Sequence, residues 1–375
     1  MPAVPGKALA IVLALLGGAA CSRHAPPPPV ARSLLPASPA VRALLEERAR
    51  ALPSSGLVAG LLDAGGRRVV AAGTSRGPGS PPPGGRSVFE IGSVTKVITG
   101  VLLADMAFRG EVRLDEPVAS LLPAGVRVPS FQGRAITLVD LATQSSGLPR
   151  SAANMAPRDL SNPYADYTEA QLYGFLSTYE LPRAPGAQFE YSNLGMGLLG
   201  LALGRRAGSG YERLVTSRIL DPLGLHDTRI TLSPEQRGRL VPGHDEGGAV
   251  VPNWDVPTLA GAGALRSTAA DLLDFLAASL AASAGRDPGG LGRAMRAAQT
   301  PRRPAASPGM SIGLGWHVHN PSHIVWHNGG TGGYRAFVGL VPDRGTAVVL
   351  LASSTGSLDD IGLHLLDPTL RLRAH

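Results

Sequence analysis

The chain has 375 residues, a length that suggests roughly two domains or one large composite domain, and with 44% hydrophobic residues it can form a sizeable core. Only 17% of the residues are charged, and the 48 glycines and 33 prolines predict many loops. The net charge of +7 comes from scattered arginines, and aromatic residues make up 5%. Because there is no basic helix and no basic patch interleaved with aromatic residues, we expect no binding of nucleic acid.

Residues 1–20 have the pattern of a signal peptide. Lys7 supplies a positive charge, and Ala8–Ala20 is a 13-residue apolar run, too short to span a bilayer. Cys21, the only cysteine, follows directly, as at the lipid-attachment site of a bacterial lipoprotein. Ser22 resembles the outer-membrane sorting pattern of such proteins. We therefore expect an exported lipoprotein at the periplasmic face of the outer membrane. The alternative is ordinary cleavage after residue 20 and a soluble periplasmic or secreted protein.

Beyond this segment, composition and hydrophobic period predict the elements in chain order. Residues 21–39 are rich in proline and are predicted to form an extended tether. A helix is expected over Val41–Leu52, followed by a hairpin of two strands within residues 56–72. From Val94 on, apolar residues recur on one helical face through Leu102, which predicts a buried helix.

The middle of the chain has helical periodicity, and strand patterns return near its end. Helices are predicted at Tyr167–Thr178, Gly195–Arg206, Tyr211–Ile219, Thr268–Ala282 and within Gly356–Leu366. Strands are predicted at Gly313–His319, Ile324–His327, Tyr334–Val341 and Thr346–Ala352. This order predicts an α/β chain of the α+β type. An antiparallel sheet would come from residues 40–109 and 300–375, flanked by helices, with a mainly helical domain over residues 110–299.

Ser93 and Lys96 are three residues apart at the start of the predicted buried helix, so their side chains share one face. A serine hydroxyl is a weak nucleophile until a base takes its proton, and burial lowers the pKa of a lysine toward the range of a base. Of the 35 Lys and Arg residues only Lys7 and Lys96 are lysines, which leaves 35 − 2 = 33 arginines. Arginine cannot be deprotonated in a protein. A lone lysine therefore suits a proton acceptor, but the short spacing alone fits an ordinary surface lysine equally well.

Two later stretches can also carry chemistry. Tyr191 and Asn193 precede a glycine-spaced apolar helix and can point the same way from a loop, although a core tyrosine and a capping asparagine fit as well. His327 stands at a strand edge before four glycines within residues 329–333, where a substrate could approach the backbone closely. An ordinary glycine-rich turn is the alternative there.

Together these stretches resemble the penicillin-recognising serine hydrolases, specifically the class C β-lactamase-like branch. The resemblance covers about residues 41–366 and rests on three motifs in the order of the family: Ser93-x-x-Lys96, Tyr191-x-Asn193 and His327-x-Gly329. The segment Ser146-Gly147-Leu148-Pro149 is similar to a family loop between the first two motifs.

The resemblance implies acyl transfer without a metal or another cofactor. Ser93 would attack a carbonyl, and Lys96 and Tyr191 would move its proton, with the identity of the base left open. Backbone N–H groups of Ser93 and Gly330 would form the oxyanion hole, and Asn193 would hold a substrate amide or a water. We expect a monomer that acts on a small molecule or a peptide. The alternative is a penicillin-binding or sensing protein of the same fold that turns over little or no substrate.

The third motif departs from the pattern of many β-lactamases, which have lysine where this chain has His327. A largely neutral imidazole would attract a substrate carboxylate less, which favours esters or D-amino-acid amides over β-lactams. Three further histidines, His317, His319 and His323, lie nearby, but no carboxylate or cysteine accompanies them in sequence. They are interpreted as strand and turn residues rather than as zinc ligands.

The lipid anchor can be tested by replacing its attachment residue. Cys21→Ser should release the protein from the membrane fraction, because no other cysteine can carry the lipid. Fractionation of cells that produce either form measures the effect. A wild-type protein that is already soluble would contradict the lipoprotein interpretation.

Overall fold

The structure is a computed structural model that describes residues 1–3, 33–52, 54–77 and 79–373. Cys21 and nearly all of the predicted signal peptide and tether therefore lie outside the described residues. Within these ranges, no helix is long and apolar enough to cross a membrane.

An eight-stranded antiparallel sheet is built from the two ends of the chain. Its strands, in chain order, are β1 (Gly56–Asp63), β2 (Gly66–Gly73), β9 (Arg303–Pro304), β10 (Met310–Ile312), β11 (His317–His319), β12 (Ile324–Gly330), β13 (Arg335–Val341) and β14 (Thr346–Ala352). The order across the sheet is β2-β1-β14-β13-β12-β11-β10-β9. The N-terminal hairpin joins the C-terminal strands where Leu57 pairs with Ala352. The predicted antiparallel sheet from both termini is confirmed.

Three short antiparallel pairs lie outside this sheet. They are formed by β3 (Val88–Glu90) with β8 (Arg266–Thr268), β4 (Ser130–Phe131) with β5 (Arg134–Ala135), and β6 (Gly243–His244) with β7 (Val250–Val251). The first pair is the most consequential, because β3 leads directly into the turn that carries Ser93.

Helices cover the sheet and fill the middle of the chain. They are α1 (Ser38–Ala51), α2 (Thr95–Phe108), α3 (Leu138–Ala142), α4 (Glu169–Thr178), α5 (Asn193–Arg206), α6 (Tyr211–Val215), α7 (Pro234–Gly238), α8 (Ala260–Gly263), α9 (Ala269–Ser283), α10 (Gly292–Gln299) and α11 (Asp359–Leu366). A single π-helical turn, Thr216–Leu220, extends α6. The seven helices predicted from periodicity are present, with ends that differ by a few residues.

The sheet is buried on both faces, which explains the long apolar runs of its central strands. Helices α1 and α11 pack on one face, around residues such as Leu57 and Phe337. Helix α9 packs on the other face, and α2 lies in the same core, between α10, α8 and α5. Every residue of α2 from Thr95 to Met106 is buried, which confirms the predicted buried helix.

The predicted strand Gly313–His319 is interrupted. Strand β10 ends at Ile312 and β11 begins at His317, and between them Gly315 takes a positive φ of 78°. Leu314 N–H donates to Ala298 O rather than to a strand neighbour. The glycines that looked compatible with a strand instead turn the chain toward α10 and α2.

The predicted division into a sheet domain and a helical domain stays a prediction. One hydrophobic core contains residues of both parts. Helix α9, which belongs to the predicted helical range 110–299, packs directly on β14 and β1.

A buried ion pair ties the two ends of the chain together on the α1–α11 face. Arg48 of α1 and Asp360 of α11 are 2.9 Å apart, and each side chain is 4% exposed. Arg48→Ala should lower the free energy of unfolding by about 3 kcal/mol, because it leaves a buried carboxylate without this cation. Urea unfolding measures the difference. Arg50→Ala, on the exposed side of the same helix, is the control. Equal midpoints for both variants would contradict the structural importance of the pair.

Candidate active site

Ser93 lies in a single 3-10 turn, Gly92–Val94, and α2 begins after it at Thr95. The predicted place at the start of a buried helix is therefore close to the observed one. The turn is packed against β12 so tightly that side chains are excluded. A Cβ on Gly92, whose φ is +47°, would lie 2.7 Å from Gly330 N, and one on Gly329 would lie 1.9 Å from Ile91 O. Glycine at these two positions brings the third motif against the first.

Lys96 points from α2 into the centre of the cluster, and its side chain is completely buried. Its Nζ lies 2.8 Å from Ser93 Oγ, 2.8 Å from Asn193 Oδ1 and 2.6 Å from Ala262 O. Burial, followed by the positive charge of Arg150, lowers the pKa of Lys96 well below the usual value of a lysine.

Tyr191 and Asn193 reach the same point from the segment that enters α5. Ser192 caps that helix by accepting from Gly195 N–H at 2.8 Å, and its own hydroxyl donates to Pro149 O at 2.6 Å. The capped segment directs the Tyr191 hydroxyl at Ser93 Oγ, 2.7 Å away. Burial raises the pKa of Tyr191 to about 12, so its phenol is neutral and donates at ordinary pH.

A neutral amine fits the contacts of Lys96. A deprotonated lysine has two N–H donors and one lone pair. Asn193 Oδ1 and Ala262 O can only accept, so they take the two N–H groups and leave the lone pair directed at Ser93 Oγ. Ser93 can then donate its proton to Lys96 while it accepts from Tyr191. This arrangement satisfies the requirement for an activated serine nucleophile.

His327 lies beside this cluster but is buried, with 1% of its surface exposed. Its ring centre is 6.3 Å from that of Tyr191 and 4.8 Å from that of His317. Its Nδ1 is hydrogen-bonded to Asn328 O. Burial, then the neighbouring His317 and Lys96, lower the pKa of His327 well below its usual value, and burial lowers that of His317 to about 4. Both rings are neutral at pH 7, and the predicted contact of His327 with substrate stays a prediction.

A cleft opens over Ser93. Its polar floor includes Ser93, Asn193 and Gly330, whereas His327 does not line it. Its walls come from residues outside the three sequence motifs: Tyr164, Trp254, Val256, Leu259 and Thr331.

Two aromatic residues form one wall of the cleft, and each is held in place by a hydrogen bond. The rings of Tyr164 and Trp254 have centres 5.4 Å apart, and Trp254 Nε1 donates to Ser161 O at 2.9 Å. Tyr164 Oη accepts from Asn193 Nδ2 at 3.2 Å. This bond orients the amide so that its oxygen faces Lys96. Both residues stand in irregular loops without a hydrophobic period, so no sequence pattern marked them.

Comparison with known proteins gives consistent matches. A family model described as Beta-lactamase matches residues 41–366. The D-alanyl-D-alanine-carboxypeptidase/endopeptidase AmpH of Escherichia coli (strain K12) is 32% identical over 313 residues, which is 80% of each chain. A Beta-lactamase of Pseudomonas fluorescens is 27% identical over 301 residues, 71% of this chain and 79% of that protein.

Solved structures show the same fold. A Beta-lactamase/D-alanine Carboxypeptidase from Yersinia pestis, complexed with citrate, has a TM-score of 0.75 at 24% identity and covers 88% of this chain and 97% of its own. A class C beta lactamase has a TM-score of 0.74 at 21% identity, covering 88% and 96%. The predicted fold and the predicted serine hydrolase class are confirmed. The chain belongs to the β-lactamase family of serine hydrolases.

Proposed function

We propose that this chain is an exported hydrolase that cleaves ester or amide bonds through an acyl-enzyme on Ser93. The observation that carries the proposal is the position of Ser93 Oγ, 2.8 Å from a buried lysine amine and 2.7 Å from a tyrosine hydroxyl. A nucleophile in contact with both a base and a proton donor is the arrangement that acyl transfer requires.

Lys96 is the proposed general base. Its lowered pKa and its two acceptor neighbours support a neutral amine that takes the Ser93 proton as Oγ attacks the carbonyl. Tyr191, with a pKa of about 12, is a poor base at neutral pH but a suitable donor. The proton would reach the leaving group through the Tyr191 hydroxyl, which is then reprotonated from Lys96. Water would release the acyl group by the reverse route.

During attack, negative charge develops on the carbonyl oxygen of the substrate, and hydrogen-bond donors must stabilise it. The N–H groups of Ser93 and Gly330 are the proposed oxyanion hole, in a region where the two backbones are in close contact and Gly330 lines the cleft. The loss of one such donor typically costs about 3 kcal/mol in transition-state stabilisation. Asn193 would contact a substrate amide or the attacking water after exchange of its bond to Tyr164.

The names of the relatives support a substrate class. A D-alanyl-D-alanine carboxypeptidase and β-lactamases among them favour a D-alanyl peptide or a β-lactam, with small esters as a third possibility. Export to the periplasm, by the N-terminal pattern described above, would bring the enzyme to such substrates. The contacts of Ser93 with Lys96 and Tyr191 argue against the alternative, a binding or sensing protein that acylates slowly or not at all.

Covalent labelling tests the assignment of the nucleophile. A fluorophosphonate should modify Ser93, and mass spectrometry of the digested protein should place the adduct there. Ser93→Ala should abolish labelling and lower hydrolysis of an activated ester and a chromogenic cephalosporin by about 10³-fold or more, as expected for loss of a catalytic serine. Ser161→Ala, on a loop beside the cleft, is the control and should label normally. An adduct that persists in Ser93→Ala would show that another residue is the nucleophile.

A further inference from the structure

An exposed positive charge lies next to the reacting groups, on a residue that belongs to none of the three motifs. Arg150 follows the loop Ser146–Pro149, and its guanidinium carbon is 5.1 Å from the centre of the Tyr191 ring. The hydroxyl of that ring contacts Ser93 Oγ. The guanidinium thus lies within cation–π distance of the Tyr191 ring, and Arg150 is exposed to solvent.

The donors of Arg150 are free. Among the described residues, its guanidinium has neither an ion pair nor a hydrogen bond. Two arginines of the surrounding segments differ in this respect, since Arg183 is paired with Glu190 and Arg303 with Asp140. The main chain of Arg150 is fixed, because its carbonyl accepts from Asn193 N–H at 3.0 Å.

The other basic groups around Ser93 are less available to a ligand than Arg150. Lys96 and His327 are buried, and this burial lowers the pKa of each side chain well below its usual value and so disfavours its charged form. Arg335, behind Gly330, uses one guanidinium nitrogen for Thr331 O and Tyr334 O, at 2.9 and 2.8 Å. Among these groups in the described part of the chain, Arg150 is the exposed one, and its guanidinium makes no hydrogen bond, whereas Arg335 is half-buried and holds two main-chain carbonyls.

We propose that Arg150 binds a carboxylate on the leaving group of the substrate and so selects acidic leaving groups. The proposal rests on the acyl-transfer function above. The acyl group would occupy the cleft walled by Tyr164 and Trp254, and the leaving group would extend over Tyr191, its proton donor, toward Arg150. A guanidinium presents two parallel N–H donors, which match the two oxygens of a carboxylate. The cation missing from the third motif is thus supplied by a different loop.

Paired esters test this selectivity. The phenylacetylglycyl esters of 3-hydroxybenzoic acid and of 3-hydroxybenzamide share one acyl group and differ in leaving-group charge. Each transfers its acyl group to Ser93 Oγ, and the departing phenolate takes up the serine proton and is measured by its absorbance. The readout is the ratio of kcat/KM for the acid to kcat/KM for the amide. Because a change in the pKa of Lys96 would affect both esters alike, it cancels in this ratio.

Wild-type protein should prefer the carboxylate ester, and Arg150→Gln should lower the ratio roughly fivefold, the effect of one partly exposed ion pair. Arg150→Lys should retain a ratio above that of the glutamine variant. The control is Arg237→Gln, which removes the same charge from the exposed face of α7 and should leave the ratio unchanged. The preference should also weaken at high salt.

The outcomes separate the two proposals. A wild-type ratio near one, or a ratio that Arg150→Gln and Arg237→Gln change equally, would overturn the role of Arg150 while both esters are still hydrolysed. If wild-type protein hydrolyses neither ester, or if Ser93→Ala hydrolyses both as fast as wild type, the acyl-transfer function itself is wrong.

Discussion

The structure of the site depends on one buried amine. Lys96 is completely enclosed, and a charged ammonium there would lose its hydration without gaining a carboxylate partner among the groups that contact it. Its neighbours are a hydroxyl, an amide oxygen and a main-chain carbonyl. Burial favours the neutral amine over the ammonium at this place, and a neutral amine next to Ser93 is a base. The burial that makes this lysine costly as a cation therefore also makes it chemically useful.

Three segments that are distant in sequence must meet to enclose that amine. The turn Gly92–Val94 precedes α2, the Tyr191 segment precedes α5, and Ala262 lies in α8. Strand β12 closes the remaining side, and it can do so only because Gly92 and Gly329 leave no Cβ between the two backbones. Helices and a strand thus hold Ser93 and the groups around it in place, whereas the cleft-wall residues Tyr164 and Trp254, and also Arg150, lie in loops.

Sequence alone predicted the parts of the site that depend on local spacing. Ser93 and Lys96 share one turn of chain, and Tyr191 and Asn193 flank a helix cap, so short motifs describe them. The contact with Ala262 O is made by a main-chain atom, which no residue type reveals. Tyr164, Trp254 and Arg150 approach through irregular loops, and their positions depend on tertiary packing. Tertiary packing also explains why the strand predicted over residues 313–319 is interrupted, because the chain bends at its glycines toward α10.

The protonation state of Lys96 tests this account most directly, and the composition makes it measurable. The chain has only two lysines, so isotope-labelled lysine gives at most two side-chain signals by nuclear magnetic resonance. A signal that disappears in Lys7→Arg belongs to Lys7, and the signal that remains belongs to Lys96. We expect the Lys96 side chain of the folded protein to change from ammonium to neutral amine at a pH well below the one at which an exposed lysine loses its proton. A Lys96 signal that remains that of an ammonium up to about pH 10, as in an exposed lysine, would contradict the proposal that Lys96 is the base.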